Sequence, residues 1–255
     1  MGLNSKIKSL IFAGCSVATM GGLAAFASSR QNEKVCEKVS INIDNEYNNY
    51  FIGDKEVKDL LTREGERKIE GISNKNIDLK NLEKRIESHK FVEDADVYRG
   101  LDGNIHVQVK QNRPIARILH ANSDKDVYLD DEGNVLPLSE RFTARVIPIT
   151  RAGNSHALNT AFFQDSVGQS YLSLLQFIDQ DAFWKAQLAQ MHIDAKGKVS
   201  FQPQVGDQTI EFGTPSDVER KFKKLMIVYK HVLPQMGWDR YKRINIEFND
   251  QIICE

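Results

Sequence analysis

Hydrophobic and polar residues alternate along several short stretches of this chain and recur at helical spacing along others. In "VSINI", Val39, Ile41 and Ile43 fall on one side, the period-two signature of a half-buried strand. The polar connection "EYNNY" follows. "GDKEVKDLLTREG" then spaces Val57, Leu60 and Leu61 for a helix, with Asp54 as its predicted N-cap and Gly65 as its stop. After a loop over 66–77, "DLKNLEKRIESH" offers Asp78 as a second N-cap and places Leu79, Leu82 and Ile86 on one stripe. Ala95 and Val97 next alternate with Asp94 and Asp96, and Ile105, Val107 and Val109 alternate with His106, Gln108 and Lys110. "LDGN" between these runs is a turn of the Asp-Gly kind. From residue 39 to 110 the predicted order is strand, helix, helix, strand, strand. Neither helix can bury its stripe alone, but both can pack on one face of a three-stranded sheet.

The second half opens at Pro114, which cannot donate to a ladder and so marks a strand start or a boundary. "IARIL", "VYL" and "RVIPIT" read as short strands, and "DDEGN" as a polar turn. Between Gln164 and Ala189, Val167, Tyr171, Leu174, Leu175 and Ile178 predict a helix. Phe183, Trp184 and Leu188 predict another, after a break near Asp179-Gln180-Asp181. "MHIDAKGKVSFQP" reads as a hairpin around Lys196-Gly197, and "QTIEFG" as a strand. "TPSDVERKFKKLMIVYKHVLPQMG" predicts a long helix with Thr214 at N-cap, Pro215 at N1 and Asp217 at N3. Its core stripe would be Phe222, Leu225, Met226, Tyr229, Val232 and Leu233. The last alternating run puts Ile244, Ile246 and Phe248 on one face and Arg243, Asn245, Glu247 and Asn249 on the other.

Ahead of all this, Lys6 and Lys8 precede an uncharged run from Ser9 to Ser29, about long enough to cross a bilayer as a helix. Gly14, Ser16, Thr19, Gly21 and Gly22 dilute it, and Ala25-Phe26-Ala27 fits a small-x-small cleavage site. A retained anchor and a removed signal peptide both fit this segment, and both export the rest of the chain. Lys6 and Lys8 are matched by Arg30, Lys34 and Lys38 beyond it, so flanking charge does not decide the orientation. A net charge of -1 over 255 residues argues against nucleic acid as the main partner. Cys15, Cys36 and Cys254 share no metal-ligand spacing and read as unpaired.

Candidate chemistry is thin. None of the six histidines stands at i, i+4 from another, so zinc chemistry lacks its usual frame. His192 and Asp194 flank Ile193 on one strand face, where an acid-base pair competes with an ordinary exposed hairpin. "SDKDVYLDDEGN" lacks the spacing and the closing glutamate of a calcium loop and reads as a hairpin turn. No nucleophile elbow, phosphate loop or dinucleotide fingerprint occurs. The terminal alternating strand is more informative. Such a strand often lies at a sheet edge with one row of backbone N–H and C=O groups open, and an extended segment of another protein can pair there. A strand paired on both sides is the alternative.

"DLKNLEKRIESHKFVEDADVYRGLDGNIHVQVKQNRPIARI", "VYLDDEGNVLPLS", "FGTPSDVERKFKKLMIVYKHVLPQ" and "YKRINIEFNDQIIC" together resemble, in order and spacing, the bacterial cell-division family FtsQ, also called DivIB. The region from Cys36 to Ile52 and Asn112-Arg113-Pro114-Ile115 look most like its Bacteroidetes-type variant. The resemblance implies an α+β fold. Residues 1–8 would be a cytoplasmic tail, 9–29 a transmembrane anchor and 30–112 a POTRA domain of β-α-α-β-β order. Residues 113–255 would form a β-rich domain with a long helix before the final strand. It favours the retained anchor and a single-pass inner-membrane protein, with the N-terminus cytoplasmic and the bulk periplasmic.

The resemblance implies no enzyme, catalytic residue, cofactor, metal or small-molecule substrate. The role it implies is a divisome scaffold that joins FtsB-like and FtsL-like bitopic proteins at the septum and supports septal peptidoglycan synthesis. Partner binding is expected at Arg243, Ile244, Asn245, Ile246, Glu247, Phe248, Asn249 and Ile252. Many relatives carry an Arg-aromatic pair in this strand. Glu247 and Phe248 stand there here, so a basic partner residue would be expected opposite Glu247. The competing function is a secreted hydrolase or other periplasmic enzyme with a cleaved signal peptide, its site around His192 and Asp194. A third reading keeps the POTRA-like half but places it in outer-membrane assembly; no barrel-forming run of strands follows.

Overall fold

The computed structural model describes residues 19, 20, 22, 34–45, 47–66, 68–120, 125–153 and 158–255. The tail expected at 1–8 lies outside them, as does the segment 9–29 apart from residues 19, 20 and 22. Among the described residues no helix is long and apolar enough to cross a membrane. The chain divides into two compact units, one ending at Gln111 and one spanning Asn112–Glu255.

The first unit holds β1 (Val39–Ile43), α1 (Asp54–Thr62), α2 (Leu79–Glu87), β2 (Val92–Arg99) and β3 (Ile105–Gln111). Its sheet runs β1-β3-β2, with β1 parallel and β2 antiparallel to the central β3. Val57 and Leu61 of α1 and Leu82 and Ile86 of α2 bury against Val97, Ile105, Val107 and Val109, the period-two face of the sheet. Asp78 caps α2, accepting from the Asn81 N–H at 3.2 Å. At α1 the cap is Gly53 rather than Asp54, because the Glu56 carboxylate reaches back to the Gly53 N–H at 2.8 Å. The helix stops at Thr62, ahead of Gly65, because Arg63 and Glu64 already adopt left-handed backbone.

The polar connection after β1 is organised by one buried amide. Gln111 Oε1 accepts from the Phe51 N–H at 2.9 Å and the Ile52 N–H at 3.1 Å. Its Nε2 donates to the carbonyls of Asp44 (3.0 Å) and Asn49 (2.9 Å) and to Asn45 Oδ1 (2.9 Å).

The second unit is built on one nine-stranded sheet, ordered β12-β11-β10-β9-β8-β7-β4-β5-β6. These strands are β4 (Pro114–Ile118), β5 (Val127–Asp130), β6 (Val135–Pro137), β7 (Ile147–Arg151), β8 (Leu188–Ile193), β9 (Val199–Pro203), β10 (Thr209–Gly213), β11 (Arg243–Asn245) and β12 (Ile253–Cys254). The β4–β7, β7–β8 and β10–β11 pairs are parallel and the rest antiparallel. The helices are α3 (Thr160–Gln164), α4 (Ser166–Gln180), α5 (Ala182–Gln187), α6 (Val218–Ile227) and α7 (Leu233–Met236), with a π turn at Val228–Val232. Leu174, Leu175, Trp184, Phe222 and Leu225 from the helices share one core with Met191, Phe201, Ile210, Phe212 and Ile244 from the strands. The intervening strand residues carry a polar ladder, including Thr150–His192 (2.9 Å), Gln190–Thr150 (3.0 Å) and Gln202–Thr209 (3.0 Å).

In the second unit two predicted helix boundaries move. Leu188 opens β8 rather than extending the preceding helix, which ends at Gln187. The long helix begins at Val218, not at Pro215. Thr214 and Ser216 form a turn (Ser216 N–H to Thr214 O, 2.8 Å; hydroxyls 3.1 Å apart), and Asp217 is the N-cap in left-handed backbone at φ 52°. The buried Lys221 ammonium holds that turn by donating to Thr214 O at 2.7 Å.

Candidate functional site

The closing run is not one strand with a free flank. Pairing in β11 stops at Asn245, and both sides of it are occupied. On one side it runs parallel to β10, with Ile210 opposite Ile244. On the other, the chain turns back as β12 and pairs antiparallel, Ile244 opposite Cys254 and Asn245 opposite Ile253. Arg243 and Glu255 exchange backbone hydrogen bonds at 2.9 Å in each direction. The expected open backbone at Arg243, Ile244 and Asn245 is therefore filled by the protein's own chain. The signal for the reversal was present, since Asn249-Asp250 is a turn-favouring pair.

The residues beyond Asn245 are turned out of the sheet and pinned. The Ile246 N–H donates to Glu211 O at 3.0 Å and its side chain is buried. The Glu247 N–H bends back to Asn245 Oδ1 at 2.9 Å. That bend ends the alternation, so Phe248 does not share the buried face of Ile244 and Ile246 but stands 46% exposed. Lys224 donates to Ile246 O at 2.6 Å and to Phe248 O, and Arg220 donates to Asn249 Oδ1 at 2.7 Å. Ile252 is half-buried against the core.

Glu247 is engaged within the protein. Lys198 Nζ reaches both its carboxylate oxygens, at 2.8 and 3.0 Å, and this contact holds the lysine above its ordinary pKa. The Glu247 side chain also lies so close to Gly213 that a Cβ there would sit 2.5 Å from Glu247 Cγ. A basic group thus does stand opposite Glu247, and it is the protein's own Lys198.

The sheet has two true edges, finished differently. In the antiparallel β5–β6 pair the Asp130 N–H donates to Asn134 O, so hydrogen-bonded positions fall on even-numbered β6 residues. Val135 and Pro137 then face outward. The Val135 N–H is taken by Thr160 Oγ1 at 3.1 Å, and Pro137 has none to offer. On β12 the bonding positions are Ile253 and Glu255, which leaves the N–H and C=O of Cys254 directed away from the sheet. The geometry moves the candidate docking row from the middle of the closing run to its last residues.

The competing chemistry is not assembled. His192 Nδ1 is engaged by Thr150, whereas Asp194 Oδ1 accepts from the N–H groups of Lys196 and Lys198, both at 2.8 Å, as a turn staple. Asp130 Oδ1 does the same in the acidic hairpin, accepting from Glu132 (3.0 Å) and Asn134 (2.7 Å); burial pushes its carboxyl pKa up. Among the described residues no group of three or more His, Cys, Asp or Glu side chains could hold a metal ion. Cys36 and Cys254 are free thiols.

Residues 113–255 match the family described as FtsQ/DivIB, C-terminal related, and residues 34–110 match a POTRA-like domain. No curated protein matches the chain. A match over more than half of the sequence, on a β-α-α-β-β unit followed by a large mixed sheet, places this chain in the FtsQ/DivIB family of bacterial cell-division proteins.

Proposed function

We propose that this protein is a bitopic membrane scaffold of the divisome that captures a partner by strand addition along β12. In this reading residues 9–29 anchor it in the inner membrane, the two units lie in the periplasm, and FtsB-like and FtsL-like proteins are the partners. Joining them at the septum supports septal peptidoglycan synthesis, and the scaffold performs no chemistry itself. The observation that carries the reading is the contrast between the two edges: β6 is blunted by Thr160 and Pro137, whereas β12 is bare at Cys254. Backbone pairing there would supply affinity and alternate side chains selectivity.

The test is Cys254→Pro. The substitution removes an N–H that the protein's own sheet does not use, while Ile253 and Glu255 still pair with β11. Expected are an unchanged circular dichroism spectrum and loss of co-purification with the FtsB-like protein of the same cells. Undiminished co-purification by a folded Cys254→Pro protein refutes strand addition at this edge. Loss of midcell localisation of the wild-type chain would refute the scaffold role itself.

A further inference from the structure

Charge is unevenly spread over the second unit. Between Val218 and Val232 the sequence has five Lys or Arg residues and one acid, Glu219, in a chain of net charge -1. The apolar side of this helix is spent on the core through Phe222, Leu225, Val228 and Tyr229. The opposite side presents a ridge of Arg220, Lys223, Lys224 and Ile227 on α6, and Lys230 and His231 follow on the π turn.

Acids on the protein meet this ridge only in part: Asp217 pairs with Arg220, and Asp250 lies near Lys224. Lys223 meets Glu219 only at 3.9 Å, with both side chains more than three-quarters exposed. Lys224 spends its ammonium on the carbonyls of Ile246 and Phe248, which bind it without cancelling its charge. Lys221, buried just behind, likewise binds the Thr214 carbonyl and lies over the Phe212 ring. Arg220 meets Asp217 at 2.8 Å. In the middle of the ridge Ile227 stands 51% exposed.

We propose that this ridge docks an acidic helical segment of a partner protein, at a surface distinct from the β12 edge and independent of strand addition there. Charge complementarity selects an acidic occupant, the helical spacing of the cations suits a helix laid along them, and Ile227 provides one apolar contact near the centre. A lipid surface fits less well. A helix that binds a membrane needs a broad apolar face to insert, and here that face is buried in the protein's own core.

The test uses the full chain and a fluorescein-labelled, glutamate-rich peptide of about five helical turns with Leu at every fourth position. Binding is read by anisotropy at physiological salt. The wild type should bind saturably and more weakly as salt rises. Lys223→Glu with Lys230→Glu should weaken binding by about tenfold or more. Both side chains are exposed, so the fold should survive, and the milder Lys223→Gln/Lys230→Gln pair should give an intermediate loss. Cys254→Pro should leave peptide binding unchanged, which separates this surface from the edge. The proposal is overturned by absence of saturable binding, by equal binding of a peptide with Gln for every Glu, or by indifference to the double reversal. It is also overturned if phosphatidylglycerol vesicles bind the ridge in place of the peptide.

Discussion

Replacing Gln111 with Met should uncouple the connection between β1 and α1 from the sheet. Methionine matches glutamine in length and flexibility and can fill the same space. It supplies neither the acceptor for the Phe51 and Ile52 N–H groups nor the donor for the Asp44 and Asn49 carbonyls. Gln111 is 5% exposed, so water cannot replace these partners without opening the site. Stranding a buried polar group costs about 1–3 kcal/mol. Two amide donors, two carbonyls and Asn45 Oδ1 lose their bond to Gln111, offset in part by the apolar gain of the thioether, so about 3 kcal/mol is expected. Native-state hydrogen exchange on the full chain reads this directly. The amides of Val107 and Val109 in β3 should lose about a hundredfold in protection. Those of Phe201 and Phe212, in the other unit, serve as the internal reference. A loss below about fivefold at Val107 and Val109 would show that the amide network is incidental to the stability of the first unit.

Two further outcomes follow from the second unit. Gly213→Ala should destabilise it by about 2 kcal/mol, because φ is +77° and the new Cβ would meet Glu247; a lowered urea midpoint checks this. Adding Glu247→Ala should recover the steric part but not the part due to φ. Burial pushes the Tyr229 pKa up to about 12, above the ordinary value of 10.0. The folded state therefore favours the neutral phenol. The resulting stability is present in full below pH 10 and is lost as pH rises through about 12. Urea titrations across that window should show a steeper fall for the wild type than for Tyr229→Phe, and equal slopes would refute the assignment.

The elements with clean periodicity were readable from the chain, and the ones that failed did so for local reasons. Leu82 and Ile86, and Ile105, Val107 and Val109, bury as their spacing requires, and Val39, Ile41 and Ile43 pack half-buried against the same core. Thr214-Pro215-Ser216-Asp217 carries every composition cue of a helix start, yet a lysine from the next turn recruits it as a separate turn. The role of Gln111 was invisible, since nothing in sequence marks a polar residue at a strand end as the partner of a loop some sixty positions away. At the closing strand the apolar alternation through Phe248 was real, but the Asn245 side chain captured the Glu247 N–H and bent the chain before the pattern could continue.

That bend reshapes what an edge can do in this protein. A free flank along the whole closing run would be a long, sticky template, the kind of edge that invites unwanted pairing. Folding back as β12 replaces that flank with an edge at Ile253–Cys254. Net hydrogen bonds contribute about 1 kcal/mol each, so the N–H and C=O of Cys254 supply part of the affinity and set the register. A partner captured here must find contacts beyond the strand. The same cations that pin the bend, Lys224 and Arg220, belong to the basic ridge on α6. A weak, selective strand joined to a charged helical contact would give through two modest surfaces the affinity that neither supplies alone.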